Sequence, residues 1–399
     1  MESIKSLFVI GPGPSSSHTI GPFNAALDFK KGLDEKYKIK VILYGSLALT
    51  GKGHLTDKII KKVFEGYDIN IDFNFTNLEL KHPNTLSFTA YLNDSIVKEK
   101  TYYSVGGGEI VTSLNYKQDK GVYDFKNFND IKKYLQENNK SLVDIVNDNE
   151  DKDINEYLTK VLHTMFNVIE RNLSLEGFLP GQLNTKRVAS KIYENALKIK
   201  DIEEQRIMLL TAFAYATAEG NASGDIVVTA PTCGSAGILP SILYYESLYN
   251  KISEEKLINA LKIAGIIGDI CKQNASISGA VLGCQAEVGV ATAMTAGALS
   301  FIHDLSIYQI EYSSEVALEH FLGLTCDPVD GYVQIPCIER NGIGSLRAYV
   351  SYLYAKNIAP YRKNRVSFDD VVEAMQITGE SLSKDYKETA IGGLAKIIK

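Results

Sequence analysis

The chain of 399 residues carries 42 basic and 48 acidic side chains, a formal charge of −6, and is 45% hydrophobic. This balance suits a packed protein of two or three domains at roughly 150 residues each, and it excludes wholesale disorder or a fibrous repeat. No concentrated basic field is present, so a nucleic-acid partner is not expected.

The opening MESIKSLFVIGPG has only a short apolar run before a Gly-Pro turn, too little for a signal-peptide core. Residues up to about 150 read as mixed α/β. "IKVILYGSLAL" and "LSFTAYLN" are strand-like, "NAALDFKKGLD" and "TDKIIKKVFEGY" have helical spacing, and "YYSVGGGEI" is a strand running into three glycines. The polar stretches "NYKQDKG" and "DNEDKDINE" mark a boundary, giving an α/β domain over 1–150. From 153 to 399 the pattern is helical, with "INEYLTKVLHTMFNVIERNLSLEG", "QRIMLLTAFAYATAEG", "EEKLINALKIAGIIGDICKQ" and "VVEAMQITGESLSKD" as its clearest helices and a centre rich in Gly, Ala and Ser. The longest stretch of low polarity, Val288 to Ile302, is shorter than the about 20 residues of a membrane span and reads as a buried small-residue helix. No membrane partner and a cytoplasmic location are therefore expected.

The cysteines are unevenly placed: Cys233, Cys271, Cys284, Cys326 and Cys337 fall within 105 residues, with none before them. Such a modest, odd number does not fit a secreted disulfide scaffold, and the clustering suggests a metal or iron-sulfur site. Pro328, Gly331 and Pro336 break regular structure between Cys326 and Cys337, leaving a shaped loop that admits either two thiolates on one ion or cluster, or two inert buried thiols. Cys271 and Cys284 bracket "CKQNASISGAVLGC", which feeds a rigid helix as an active-site loop would, and Glu287 there either caps the helix or orients a ligand. Cys233 lies in a turn that opens a helix near Gly237, where free N–H groups suit a substrate carboxylate or simply a cap.

"GPGPSSSHTIGP" boxes His18 among serines between prolines, a poor helix interior but a rigid polar loop. "TGKGHLTDK" presents His54 as a second loop histidine. These two suit acid/base work, whereas His163 and His303 lie on apolar helical faces and read as structural, and His320 is left open.

In combination, "GPSSSHTIGP", "GKGHLTDK", "HPNT", "YYSVGGG", "EGNASG", "TAPTCGSAGILP", "CKQNASISGA", "GCQAEVG", "GLTCDPVDGYVQIPCIERN" and "YKET" followed by "GGLA" run through almost the whole chain. In content and order they resemble the iron-sulfur-dependent bacterial L-serine dehydratases, in their single-chain form. The resemblance implies a helical catalytic domain that holds a [4Fe-4S] cluster through Cys284, Cys326 and Cys337, with one iron open. It also implies a small α/β domain related to allosteric substrate-binding modules, which brings His18 and His54 to the site, and a homodimer. Many single-chain members end in a cysteine that occupies the fourth iron, but no cysteine follows Cys337 here, and the interdomain linker is short. The resemblance therefore leaves that iron to water, a small ligand or substrate.

The implied reaction converts L-serine to pyruvate and ammonia. The open iron acts as a Lewis acid on the hydroxyl, His54 or, second, His18 takes the α-proton, and aminoacrylate tautomerises and hydrolyses. Ser16, Ser17, Thr19, Thr232, Gly234 and Asn274 are the implied substrate contacts, with Arg340 and Asn341 anchoring substrate or supporting the cluster. The rivals are an iron-sulfur L-cysteine desulfidase, an L-threonine dehydratase, a zinc protein, a non-enzymatic serine or iron sensor, and a pyridoxal-phosphate dehydratase using Lys272. The last leaves the three cysteines unexplained.

Overall fold

The computed structural model describes residues 1–76, 80–113 and 121–398. Apart from Gly121, the "NYKQDKG" segment lies outside the described residues.

The chain starts inside the helical half of the molecule. Met1, Ile4 and Phe8 are buried in the largest apolar core. Strand β1 (Ile10–Pro12) then pairs antiparallel with residues Ile226–Val228, Ile10 opposite Val228 and Pro12 opposite Ile226. The α/β domain hangs from this pairing. Helix α1 (Gly21–Lys30) leads into strand β2 (Lys38–Tyr44), followed by α2 (Ser46–Thr50), α3 (Thr56–Val63), β3 (Ile69–Asn74), β4 (Thr85–Leu92), β5 (Ser95–Gly106) and β6 (Glu109–Val111).

The strand order is β3-β2-β4-β5-β6, with β2 and β3 parallel and the other neighbours antiparallel. Alternation along β2 buries Ile39, Val41 and Leu43 on one face. Ala25, Ala26 and Phe29 of α1 and Ile59, Ile60 and Val63 of α3 cluster with them. Two local expectations change. "SLAL", read as strand, is helical because Gly45 at φ 55° turns the chain out of β2, and β3 forms where no strand was anticipated.

The remaining helices are α4 (Phe128–Asn138), α5 (Leu142–Asn149), α6 (Ile154–Asn172), α7 (Ala189–Ala196) and α8 (Ile202–Ala222). After strand β7 (Ile226–Val228) come α9 (Ile238–Leu248), α10 (Glu254–Asn274), α11 (Gly279–Leu282), α12 (Val290–Ile302) and α13 (Ile307–Glu319). Helices α14 (Cys337–Asn357), α15 (Phe368–Ser381) and α16 (Gly393–Ile397) complete the order. The small-residue helix is the axis of this half: every residue of α12 except Phe301 is buried, and it packs against α9, α10, α13 and α14. Among the described residues no helix is long and apolar enough to cross a membrane.

The helices at 128–149, read as part of the first domain, pack on the helical half. Phe128, Ile131 and Leu135 lie one or two turns apart on one face of α4 and join Leu142, Ile145 and Val146 in the large core, against α10 and α15. The acidic stretch near 150 is only the turn between α5 and α6. Its Glu150 accepts from the Ser3 hydroxyl, the Ile4 N–H and the Tyr123 hydroxyl, tying the first residues down.

Gly13 follows β1 where the chain passes close against Asn221 of the helical half. A Cβ there would sit 2.2 Å from Asn221 Oδ1 and 2.4 Å from the Asn221 carbonyl oxygen. The backbone contact cannot rotate away, so Gly13→Ala is expected to cost about 1–3 kcal/mol. A melting temperature unchanged from the parent protein would show that this junction does not hold the domains.

Candidate active site

Between the two halves lies a cavity of about 1210 Å³ whose lining includes His18, His54, Cys284, Cys326 and Cys337. The α/β domain brings the histidines. "SSSHT" is a π-helical turn, Ser16–Ile20, running directly into α1, where a loop was expected. The Ser15 side chain caps it by accepting from the His18 N–H, which lets so polar a stretch close. His54 ends the turn after α2, its N–H donating to the Thr50 carbonyl. The two segments lock reciprocally: Thr19 Oγ1 donates to the His54 carbonyl at 2.7 Å and Thr56 Oγ1 to the His18 carbonyl at 2.6 Å.

The rings differ in what they have left to offer. His18 Nδ1 is 2.8 Å from Ser17 Oγ and its Nε2 is 2.8 Å from Ser46 Oγ, so both nitrogens are engaged. His54 Nδ1 lies 3.1 Å from the Thr50 carbonyl oxygen, which can only accept; Nδ1 therefore carries the proton and Nε2 keeps a lone pair. That Nε2 is buried and has no hydrogen-bond partner. Burial lowers the pKa of His54 to about 4, and burial with the adjacent His54 lowers that of His18 well below the usual histidine value. The ring centroids are 4.6 Å apart, which two neutral imidazoles tolerate.

The helical half brings the thiols. Cys284 precedes a π-helical turn, Gln285–Gly289, that continues into α12. The Gln285 side chain fixes this turn, donating to the Leu282 and Met375 carbonyls and accepting from the Gly323 N–H. Cys326 pairs its backbone with the segment before α16: its N–H donates to the Tyr386 carbonyl and its carbonyl accepts from the Glu388 N–H, each at 2.8 Å. Cys337 is the first residue of α14, and the stretch between the two cysteines is a loop with one 3₁₀ turn, Val329–Gly331. All five cysteines are free thiols.

Cys284 Sγ, Cys326 Sγ and a Glu287 carboxylate oxygen lie within 4.8 Å of one another. Among the described residues this group could hold a metal ion. It contains two of the three expected cysteines plus Glu287, while Cys337 faces the same cavity from outside the group. The spacing of Cys284 and Glu287, nearly one helical turn, is the sequence signal that the carboxylate stands beside the thiol. Gly279 provides the cradle, since a Cβ there would lie 2.3 Å from Glu287 Oε2 and 3.2 Å from Cys326 Sγ. Burial raises the Glu287 carboxyl, the Cys284 contact and burial raise Cys326, and burial raises Cys337. A soft donor set of this kind fits a thiophilic, positively charged guest.

The other anticipated residues separate into contacts and supports. Ser16, Ser17, Thr232 and Gly234 line the cavity. Thr19 does not; it is fully buried and holds His54. Asn341 is a brace, accepting from the Gly237 N–H and donating to the Gly234 and Cys337 carbonyls. Arg340 pairs with Asp327 at 3.0 Å and donates to the Thr325 carbonyl, its charge held near Cys284 and Cys337. Asn274 is on the surface, donating to the Lys126 carbonyl, and does not line the cavity. His163 is also exposed and bonds Glu254 rather than sitting on an apolar face, whereas His303 stacks on Tyr352 as a structural residue. Sequence reasoning did not single out His82, Asn84, Ser46, Ser104 and Glu388, all of which line the cavity.

A family model described as the serine dehydratase beta chain matches residues 3–72, and one described as the serine dehydratase alpha chain matches residues 84–395. The chain belongs to the serine dehydratase family. Among the relatives of this dehydratase-family chain is an L-serine dehydratase of Helicobacter pylori strain J99, 37% identical over 452 aligned residues that take in 100% of this chain and 99% of the relative. L-serine dehydratase 1 of Escherichia coli K12 is 39% identical, with 99% of each chain covered. An L-serine dehydratase of Streptomyces coelicolor is 36% identical, with 98% of each covered. The alpha-chain match begins at 84, just before β4, so the family division cuts through the sheet rather than falling at a domain edge.

The His54 environment has a consequence for acid stability. The unfolded side chain takes up a proton as pH falls below about 6.5, but the folded one does so only near pH 4. Its contribution is present above the unfolded value and is lost as pH falls through the folded one, about 3 kcal/mol in all. His54→Asn is expected to flatten the fall in melting temperature between pH 6.5 and 4; equal slopes in both proteins would contradict the buried neutral ring.

Proposed function

We propose that this cavity eliminates water from L-serine to release pyruvate and ammonia, and that Cys284, Cys326 and Cys337 hold a [4Fe-4S] cluster in it. One observation carries the reading: a desolvated imidazole nitrogen with a free lone pair, His54 Nε2, lines the same cavity as the three thiols. The L-serine dehydratase names of the full-length relatives support the choice of substrate. The cavity exceeds the about 300–1,000 Å³ usual for a small-molecule pocket, which suits an inorganic group with substrate beside it. When bound, the cluster supplies a Lewis-acidic iron that makes a β-hydroxyl a better leaving group.

The chain's own residues handle binding and the proton. His54 takes the α-proton at Nε2, and its Nδ1–H stays donated to the Thr50 carbonyl, so the ring keeps one orientation throughout. Burial keeps Nε2 unprotonated at neutral pH, and entry of a substrate carboxylate raises its proton affinity when the proton must be accepted. With both nitrogens bonded to serine hydroxyls, His18 serves as the tilted neighbouring ring that packs against His54. Ser16 offers its hydroxyl to the substrate carboxylate, while Thr232 on the opposite wall spends its hydroxyl on Ser235 and the Glu287 carboxyl. The Arg340–Asp327 pair braces the Cys326 loop and puts one positive charge behind the thiols.

Protein purified without oxygen is expected to contain four irons and four sulfides and to form pyruvate from L-serine. Cys326→Ala should lose both the iron and the activity, and iron and turnover retained by that variant would overturn the ligand assignment. His54→Asn should keep the iron and visible spectrum of the parent while kcat falls by about 10²–10⁴. Loss of the iron in this variant as well would move His54 from the chemistry to the architecture of the site.

A further inference from the structure

The cavity holds a buried carboxyl for which the reaction as derived has no task. Glu388 lies between Tyr386, which accepts from the Cys326 N–H, and α16, and its own N–H donates to the Cys326 carbonyl. Its backbone takes a left-handed φ of 58°, an uncommon conformation for a non-glycine residue, and the Cys326 pairing holds it there. The side chain is only 19% exposed, lines the cavity, and has one carboxylate oxygen 3.9 Å from His54 Nε2. Among the described residues it has no lysine or arginine partner. Two nearby carboxyls are matched: Asp327 has Arg340, and Glu2 at the cavity mouth has Lys272. Glu388 and Glu287 therefore put two carboxyls in the interior without a paired lysine or arginine among the described residues, and burial favours the acid form of each, raising Glu388 to about 8, until a cation arrives.

The second, independent observation is His54. Its Nε2 is the orphaned nitrogen of a residue that is 1% exposed, so this point of the cavity awaits a guest. A guest seated there meets an imidazole lone pair on one side and, 3.9 Å from it, a carboxylate oxygen. An α-amino acid has the matching pair of groups on one carbon, a C–H to be removed and an ammonium to be held. A hydroxy acid of the same size has no such cation.

We propose that Glu388 is the ammonium anchor of the site, binding the α-ammonium of the substrate beside His54 Nε2 and so selecting amino acids over hydroxy acids. The inference rests on the dehydratase reading for the identity of the amino acid, but not for the anchoring itself. A charge-assisted contact of this kind corresponds to about 10- to 150-fold in affinity. Holding the ammonium also fixes which bond of the α-carbon faces the imidazole, so loss of the anchor is felt mainly in binding, with a smaller effect on turnover.

The test compares the parent holoenzyme with Glu388→Gln, which keeps the size and polarity of the side chain and removes its charge. Two ligands are used: L-serine, by KM and by calorimetric Kd, and 3-hydroxypropanoate, which is serine without its ammonium group, by competitive inhibition and by the same calorimetry. The expected result is a 10- to 150-fold weaker interaction with serine, with a smaller change in kcat and 3-hydroxypropanoate binding as well as before or better. Equal weakening of both ligands would mean that the substitution only distorts the pocket, and an unchanged serine affinity would mean that the ammonium sits elsewhere; either overturns the proposal. Should the glutamine variant fail to fold, Glu388→Asp, which retains the charge on a shorter arm, must show a smaller selective loss for serine, and no selective loss overturns the proposal. A parent protein that binds serine without releasing pyruvate would refute the dehydratase reading, while the calorimetric comparison would still decide the anchor.

Discussion

The antiparallel pairing of Ile10–Pro12 with Ile226–Val228 is the constraint on which the rest of the molecule depends. It uses few backbone hydrogen bonds, but it joins two halves that have separate apolar cores. Because Met1, Ile4 and Phe8 are already buried among the helices, the strand leaves the helical half at a fixed point and direction. The serine-rich turn that follows can only close over the thiol-bearing wall. Gly13, pressed against the end of α8, sets how near that wall the histidines come.

A cavity built in this way works by exclusion. Water is largely removed from His54, and the result is a ring that is neutral, singly bonded and directed. The same exclusion bears on the thiols and on Glu287, whose acid forms are favoured until something positive arrives. One arginine behind the thiols does not match three of them and a carboxyl, so the wall on that side is organised around a cationic guest. The two walls thus have complementary needs, an imidazole lone pair that can take a proton and buried thiols and a carboxyl that release theirs when a cation arrives.

Much of this was legible in the sequence because the relevant signals are local. The alternation in β2 and the helical spacing of α3 and α6 follow from which side of each element is buried, and the poverty of charge in α12 from its burial on every side. The cavity-lining positions of His18, His54, Cys284, Cys326 and Cys337 could be anticipated from their settings in turns and loops and from the family motifs they share. What escaped was long-range. Nothing within the residues 128–149 says which of two cores their apolar faces join, and nothing in residues 1–12 says that they belong with the helices. Thr19 and Asn341 have the chemistry of substrate contacts, yet both spend their hydrogen bonds on backbone, a fact visible only when the partner segments are in place. Glu388 sits in a charged surface-like stretch, and it is brought to the cavity by pairing with Cys326, sixty-two positions earlier.

That pairing also has a bearing on how the protein is made. The histidines, the thiols and Glu388 leave the ribosome in that order, and β1 must wait for β7 before it has a partner. Contacts of such long sequence separation form late, after the local helices and hairpins. Until residue 388 has emerged, Cys326 lacks both of its backbone partners on the neighbouring segment and the cavity has an open side. The thiol-bearing wall is thus finished only once residue 388 is in place, so the Cys284, Glu287 and Cys326 group closes after the local helices have formed rather than with them.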